Sequence, residues 1–218
     1  TIVPESIRRH DVLPLGEFTE PKSETEALAT LKALAGKNKV LKSLIGQGYY
    51  NSHTPGVILR NIFENPAWYT AYTPYQPEVS QGTLAVIFQF QSMIAALTGQ
   101  EVANASMYDG ATAAAEAALM AKRITKRENI AIHGALHPHY KETIETYLQV
   151  IGGKVAEGEP DANTACLIVQ SPDFRGDIHA YEALSTKCKA AGCLLVVVVT
   201  EILSLEIGRA SCRERVSS

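Results

Sequence analysis

The 218-residue chain carries 20 Lys and Arg against 23 Asp and Glu, a formal charge of −3, and 46% of its residues are apolar. That length and apolar content can fill the core of one large domain, or of one domain with an appendage. The balanced charge argues against a broad nucleic-acid surface, and no run of about 18 apolar residues predicts a membrane span.

Residues 1–21 contain Pro4, Pro14 and Pro21 among scattered apolar residues, which reads as an extended arm. No basic-then-apolar signal pattern opens it. Ser23 and Glu26 form a capping box ahead of a helix whose Leu28, Leu31 and Leu34 share one face, with Gly36 as its stop. A second short helix is expected over residues 38–45, ending at Gly46. Thr54 with Pro55 then predicts the start of another, and Val57, Ile58, Leu59, Ile62 and Phe63 are apolar nearly all round, so it is expected to be buried. Asn65-Pro66 closes it.

The stretch WYTAYTPYQPE, residues 68–78, holds four aromatics and two prolines in eleven residues. Fixed backbone and flat side chains with polar tips suit a rigid loop over a small polar ligand, and they suit a packed surface loop equally well. Residues 80–98 predict a long helix, apolar on more than one face and so central and mostly buried, with Gly99 as its stop. Asp109-Gly110-Ala111-Thr112 opens an alanine-rich helix. A small-residue turn at a helix start is a potential anion cradle, although Asp109 would repel a phosphate and serves as well as an N-cap.

From Asn129 the pattern alternates. Strands are expected at residues 129–133, 154–157, 165–170 and 194–199, and helices at 138–150 and 178–191. Uninterrupted apolar strands alternating with helices indicate an α/β domain with a mainly parallel sheet. The loops after such strands carry ligand contacts, which singles out residues 134–139, 171–176 and 200–201. Cys166, Cys188, Cys193 and Cys212 form no CxxC pair and have no His at zinc-ligand spacing. Buried free thiols in a reducing cytoplasm, and no metal site, are expected. After Leu205 the residues EIGRASCRERVSS continue neither period, and 206–218 are expected to be a non-native tail.

The segments GYYN, TPGVILRNIFENP, YTPYQPEVSQG, LTG, NAS and DGATAAAEA resemble glycine dehydrogenase (decarboxylating), the P-protein of the glycine cleavage system. The likeness runs from about Thr1 to Leu205 and is that of the N-terminal half, which many bacteria make as a separate subunit 1. The resemblance implies a fold-type-I, aminotransferase-like pyridoxal phosphate (PLP) transferase domain. It would be incomplete over residues 71–205, behind an extended and helical arm at 1–70. It also implies glycine as substrate and decarboxylation with aminomethyl transfer to the lipoyl arm of H-protein. PLP would serve as electron sink in the complete enzyme.

By the same resemblance, Ser106, Asp109, Gly110, Ala111 and Thr112 occupy the phosphate-binding place. His137 stands where relatives stack a ring on the cofactor, Asp173 follows a strand beside it, and Glu201 stands where an acid pairs with the pyridine nitrogen. The lysine that holds PLP is expected beyond residue 205, on subunit 2, so no cofactor is expected on this chain. The loops holding Tyr50, Asn51, His53, Thr73, Tyr75, Gln76 and Glu78 are then the candidates for completing the partner's site. The alternative is a non-catalytic scaffold that stabilises subunit 2 and docks H-protein.

Overall fold

The computed structural model describes residues 2–11, 13–16, 20–46, 48, 52–70, 73 and 76–205. The chain divides into two compact units, Thr1–His53 and Thr54–Ser218.

In the first unit the described residues ahead of the first helix hold a 3-10 turn, Glu5–Ile7. Helix α1 spans Glu24–Ala35 and starts as its capping box requires. The Ser23 hydroxyl accepts from Glu26 N, while the Glu26 carboxylate accepts from Ser23 N at 2.8 Å. Gly36 closes it. The helix expected over 38–45 does not form: residues 39–46 have no regular structure. The segment is too short to offset helix nucleation. Its Val40, Leu41, Leu44 and Ile45 are exposed, so packing gives it no support either.

The second unit opens with two short helices, α2 (Gly56–Ile58) and α3 (Pro66–Tyr69), joined by a π turn at Leu59–Phe63. Asn65 both ends the first run and caps α3, its side chain accepting from Ala67 N at 3.0 Å. Helix α4, Pro77–Thr98, begins three residues earlier than the pattern predicts. It bends at Ser80 and stops at Gly99, whose φ of 73° is the left-handed stop that glycine takes without strain. Neither apolar run is buried as expected. Val57, Leu59, Phe63, Val86, Phe88, Met93 and Leu97 are exposed, because no described element packs over them.

The remaining elements form the core. Helix α5 is Gly110–Thr125, α6 is Pro138–Gln149 and α7 is Tyr181–Ala191, three residues shorter at its start than expected. Strands β1 (Asn129–His133), β2 (Lys154–Glu157), β3 (Thr164–Ser171) and β4 (Leu194–Val199) build one sheet in the order β2-β1-β3-β4, every pair parallel. All eight residues of β3 are buried.

Alternate residues of β3 face opposite layers. Cys166 and Ile168 pack with the alanines of α5 and with Ile144 and Leu148 of α6. Leu167 and Val169 pack with Tyr181, Leu184 and Cys188 of α7. Strand β4 is one of the two edge strands, and most of its residues are only partly covered in spite of its uninterrupted apolar run. Cys166, Cys188 and Cys193 are buried free thiols, and burial pushes the Cys166 thiol up to about 12. Among the described residues no cluster of His, Cys, Asp or Glu could hold a metal, and no helix is long and apolar enough to cross a membrane.

One side chain ties the N-terminal ends of the strands to a helix end. Arg127 Nη1 donates to Thr164 O at 3.1 Å and to Ala191 O at 2.7 Å, joining the start of β3 to the end of α7. Replacing Arg127 with Met keeps the stem and loses both bonds. The expected cost is about 2 kcal/mol, read as a lower urea midpoint at unchanged slope. Arg127→Lys recovers little of it, because an ammonium cannot reproduce the planar fork.

Candidate functional site

The carboxyl ends of the parallel strands converge with the start of α5. Three segments meet there through a chain of contacts. A Cβ added to Gly110 would lie 2.2 Å from the Tyr140 hydroxyl, so the first residue of α5 is in close contact with α6. The Tyr140 ring lies 5.5 Å from the His137 ring, and His137 stands edge-on to Phe174 at 4.8 Å. The helix start, the β1–α6 loop and the β3–α7 loop thus form one surface.

Local chemistry explains each segment. Asp109 is the N-cap of α5. Its Oδ1 accepts from Thr112 N at 2.7 Å and from the Thr112 hydroxyl at 2.8 Å, and Thr112 Oγ1 accepts in turn from Asp109 N. The backbone and side chain of Thr112 hold the Asp109 carboxyl below the usual carboxylate range.

After β1, Gly134 adopts φ 71°, and an added Cβ would lie 2.6 Å from His179 Nε2. Only glycine meets both conditions. His137 is the N-cap of α6, its Nδ1 accepting from His139 N at 3.2 Å. Burial, then the nearby His139, pushes the His137 pKa down. After β3 a cis Ser171–Pro172 bond leads to Asp173, whose side chain is 3% exposed. Its Oδ1 accepts from Arg175 N at 2.8 Å and Asp177 N at 3.0 Å. Its Oδ2 accepts from Ala135 N at 3.1 Å and lies 3.1 Å from His179 Nε2. Burial pushes this carboxyl up, but the N–H donors of Ala135, Asp177 and Arg175, with His179, outweigh it and hold the value at about 2.

The family model for the glycine cleavage system P-protein matches residues 1–213. The chain belongs to the glycine cleavage system P-protein family. It is 49% identical over 212 residues to the glycine dehydrogenases (decarboxylating) of Paraburkholderia phytofirmans and Paraburkholderia xenovorans. That match covers 94% of this chain and 22% of each relative, so the chain spans about a fifth of their length. A crystal structure of glycine decarboxylase (P-protein) of the glycine cleavage system, in inhibitor-bound form, superposes with a TM-score of 0.80 at 36% identity. It covers 94% of this chain and 48% of that one, and the α/β fold with a parallel sheet is that of the P-protein.

Within that P-protein fold, the strand-end residues do not fit a resident PLP. Of the amides at the start of α5, that of Thr112 is taken by the Asp109 carboxylate, which adds a fixed negative charge there. Asp173 spends both oxygens on its own loops. Glu201 is exposed and accepts from Leu203 N at 3.1 Å, closing a turn after β4. Ser106 is exposed, its N–H donating to Asn104 Oδ1.

The structure therefore brings together Gly110, His137 and Asp173 and leaves Ser106 and Glu201 in local turns of their own. Ala111 is buried against the core, and Thr112 belongs to the capping box. Of the loop candidates, Tyr50, Asn51 and Tyr75 lie outside the described residues, as do residues 206–218. His53 belongs to the first unit and is exposed. Thr73, Gln76 and Glu78 belong to the second and are exposed as well. Gln76 is the N-cap of α4 without using its side chain for it, and Glu78 lies in that helix's first turn.

Sequence reasoning missed Gly134, Gln170, Phe174 and His179 as parts of one network. Pro-Asp-Phe-Arg-Gly-Asp is the available signal. An Asp followed three residues later by Gly predicts a loop folded on its own carboxylate.

Proposed function

We propose that this chain is a fragment of the N-terminal half, or subunit 1, of a P-protein and that this half lends its loops to a glycine site held by the PLP-bearing subunit 2. The complete enzyme would decarboxylate glycine oxidatively and pass the aminomethyl group to the lipoyl arm of H-protein. It would do so as a cytoplasmic heterotetramer. The lysine that holds PLP would be on subunit 2, and this chain alone would be inactive.

The observation that carries the reading is the Asp109 carboxylate on the first-turn amide of α5, where an anionic cofactor group would have to sit. A chain that keeps the fold and fills its own cradle supports a partner role. The contribution to chemistry then falls to Tyr50, Asn51, His53, Thr73, Tyr75, Gln76 and Glu78. These would shape the pocket, hydrogen-bond glycine or the lipoyl arm, and exclude water. A second reading rests on the exposed apolar residues of α4, among them Phe88, Val86 and Met93. It makes the chain a scaffold that stabilises subunit 2 and docks H-protein, with no part in the chemistry.

Co-expression with the PLP-bearing partner separates the two. Asn51→Ala, Tyr75→Phe, Gln76→Ala and Glu78→Gln are each expected to assemble normally. Glycine-dependent CO₂ exchange should fall on the order of tenfold or more in at least two of them, a barrier change of about 1.4 kcal/mol. Unchanged exchange in all four supports the scaffold reading. A PLP absorbance band from this chain purified alone would overturn both.

A further inference from the structure

The β1–α6 loop is tied to the end of β3 and the loop after it at three points within three residues. Asp173 Oδ2 accepts from Ala135 N, and Phe174 N donates to Ala135 O at 2.7 Å. Two residues on, Gln170 Oε1 accepts from His137 N at 2.8 Å. The buried Gln170 carboxamide has its orientation fixed from its other end, since Nε2 donates to Pro172 O at 3.1 Å.

The backbone leading into His137 is therefore held by Asp173, Phe174 and Gln170. The His137 ring is then placed by its packing against the rings of Phe174, Tyr140 and His139 and by the bond from His139 N to Nδ1. A ring nitrogen that accepts carries no proton, so the neutral imidazole must carry its proton on Nε2.

We propose that Asp173 and Gln170 are positioning residues for His137, holding its imidazole as the Nε2–H tautomer so that the strand-end surface presents a fixed donor for an acceptor oxygen. This role stands apart from the partner-site reading, because it concerns the geometry of this chain alone. It also gives Asp173 a task that needs no cofactor. His179 contributes one of four donors to Asp173 and is secondary, since the three backbone donors keep the carboxylate in place without it.

Long-range ¹H–¹⁵N correlation on the full 218-residue chain, labelled at its six histidines, reads the tautomer directly. Loss of one signal in His137→Gln assigns it. The wild-type chain is expected to show His137 as a single Nε2–H form. Gln170→Met and Asp173→Asn are expected to lose that form to a mixture, and His179→Gln to retain it. A wild-type His137 protonated on Nδ1 overturns the proposal, and this measurement needs no variant. So does a folded Gln170→Met chain, with wild-type circular dichroism, whose His137 signal is unmoved. Gln170→Met conserves volume and is the deciding variant where Asp173→Asn fails to fold.

Discussion

Ala118→Leu is expected to destabilise the second unit by roughly 3 kcal/mol, the upper end of the usual cost of overpacking. Ala118 is fully buried and sits midway along the stripe Ala111, Ala114, Ala115, Ala118 and Ala121 on α5. That stripe lies in one cluster with Ile130, Ile132, Cys166 and Ile168. Methyl groups along the whole face let the helix axis come close to the sheet. Three added carbons have no void to enter and must push α5 away from β3 and β4. Urea unfolding should show a lower midpoint at unchanged slope. Ala117→Leu, on the partly exposed side of the same helix, serves as the control and should cost little. Equal midpoints for the two would mean that the stripe does not set the helix–sheet distance.

The α/β half was legible because its local and tertiary signals agree. Residues 129–133, 154–157 and 194–199 are strands with the bounds their apolar runs predict. In each case the strand that pairs with them is in the same chain. The alanine stripe and the Asp109 cap told the same story from α5. The earlier half was less legible for the converse reason. Leu59, Phe63, Phe88 and Met93 carry the periodicity of buried helices, yet nothing described covers them. Periodicity reports that a face is apolar and is silent about what buries it. The helix expected over 38–45 failed on a related point, since so short a segment needs a packed face to offset its nucleation cost.

The candidate site divides along the same line. Asp109 was legible as an N-cap, weighed as one of two options, whereas His137 was read only as a ring-stacking residue and its cap role went unread. Asp173 was placed beside a cofactor by resemblance. Its hydrogen-bond partners, Ala135 and His179, lie 38 residues before it and 6 after it, so the first partnership has no sequence signature. Gln170 is the strongest case. A glutamine ending an apolar strand looks like a solvated terminus, and only the fold brings His137 N to its side-chain oxygen.

Asp173→Ala carries the second large effect, and its pH dependence identifies the cause. The native carboxyl titrates at about 2, while in the unfolded chain it returns to the ordinary Asp value near 4. A depressed native pKa means that the unfolded state binds the proton more readily, so this group stabilises the fold above the unfolded value. A two-unit separation corresponds to about 2.5 kcal/mol. The contribution is complete above about pH 4 and drains away as the pH falls toward 2. Asp173→Ala should therefore cost roughly 3 kcal/mol at pH 7, including the half-buried Ala135 N–H left without its acceptor. The gap between wild type and variant should narrow steadily below pH 4. Paired urea titrations between pH 7 and pH 3 measure it. A gap independent of pH would assign the loss to packing instead and remove the ionised Asp173 carboxylate from its place as the clamp between the β1–α6 and β3–α7 loops.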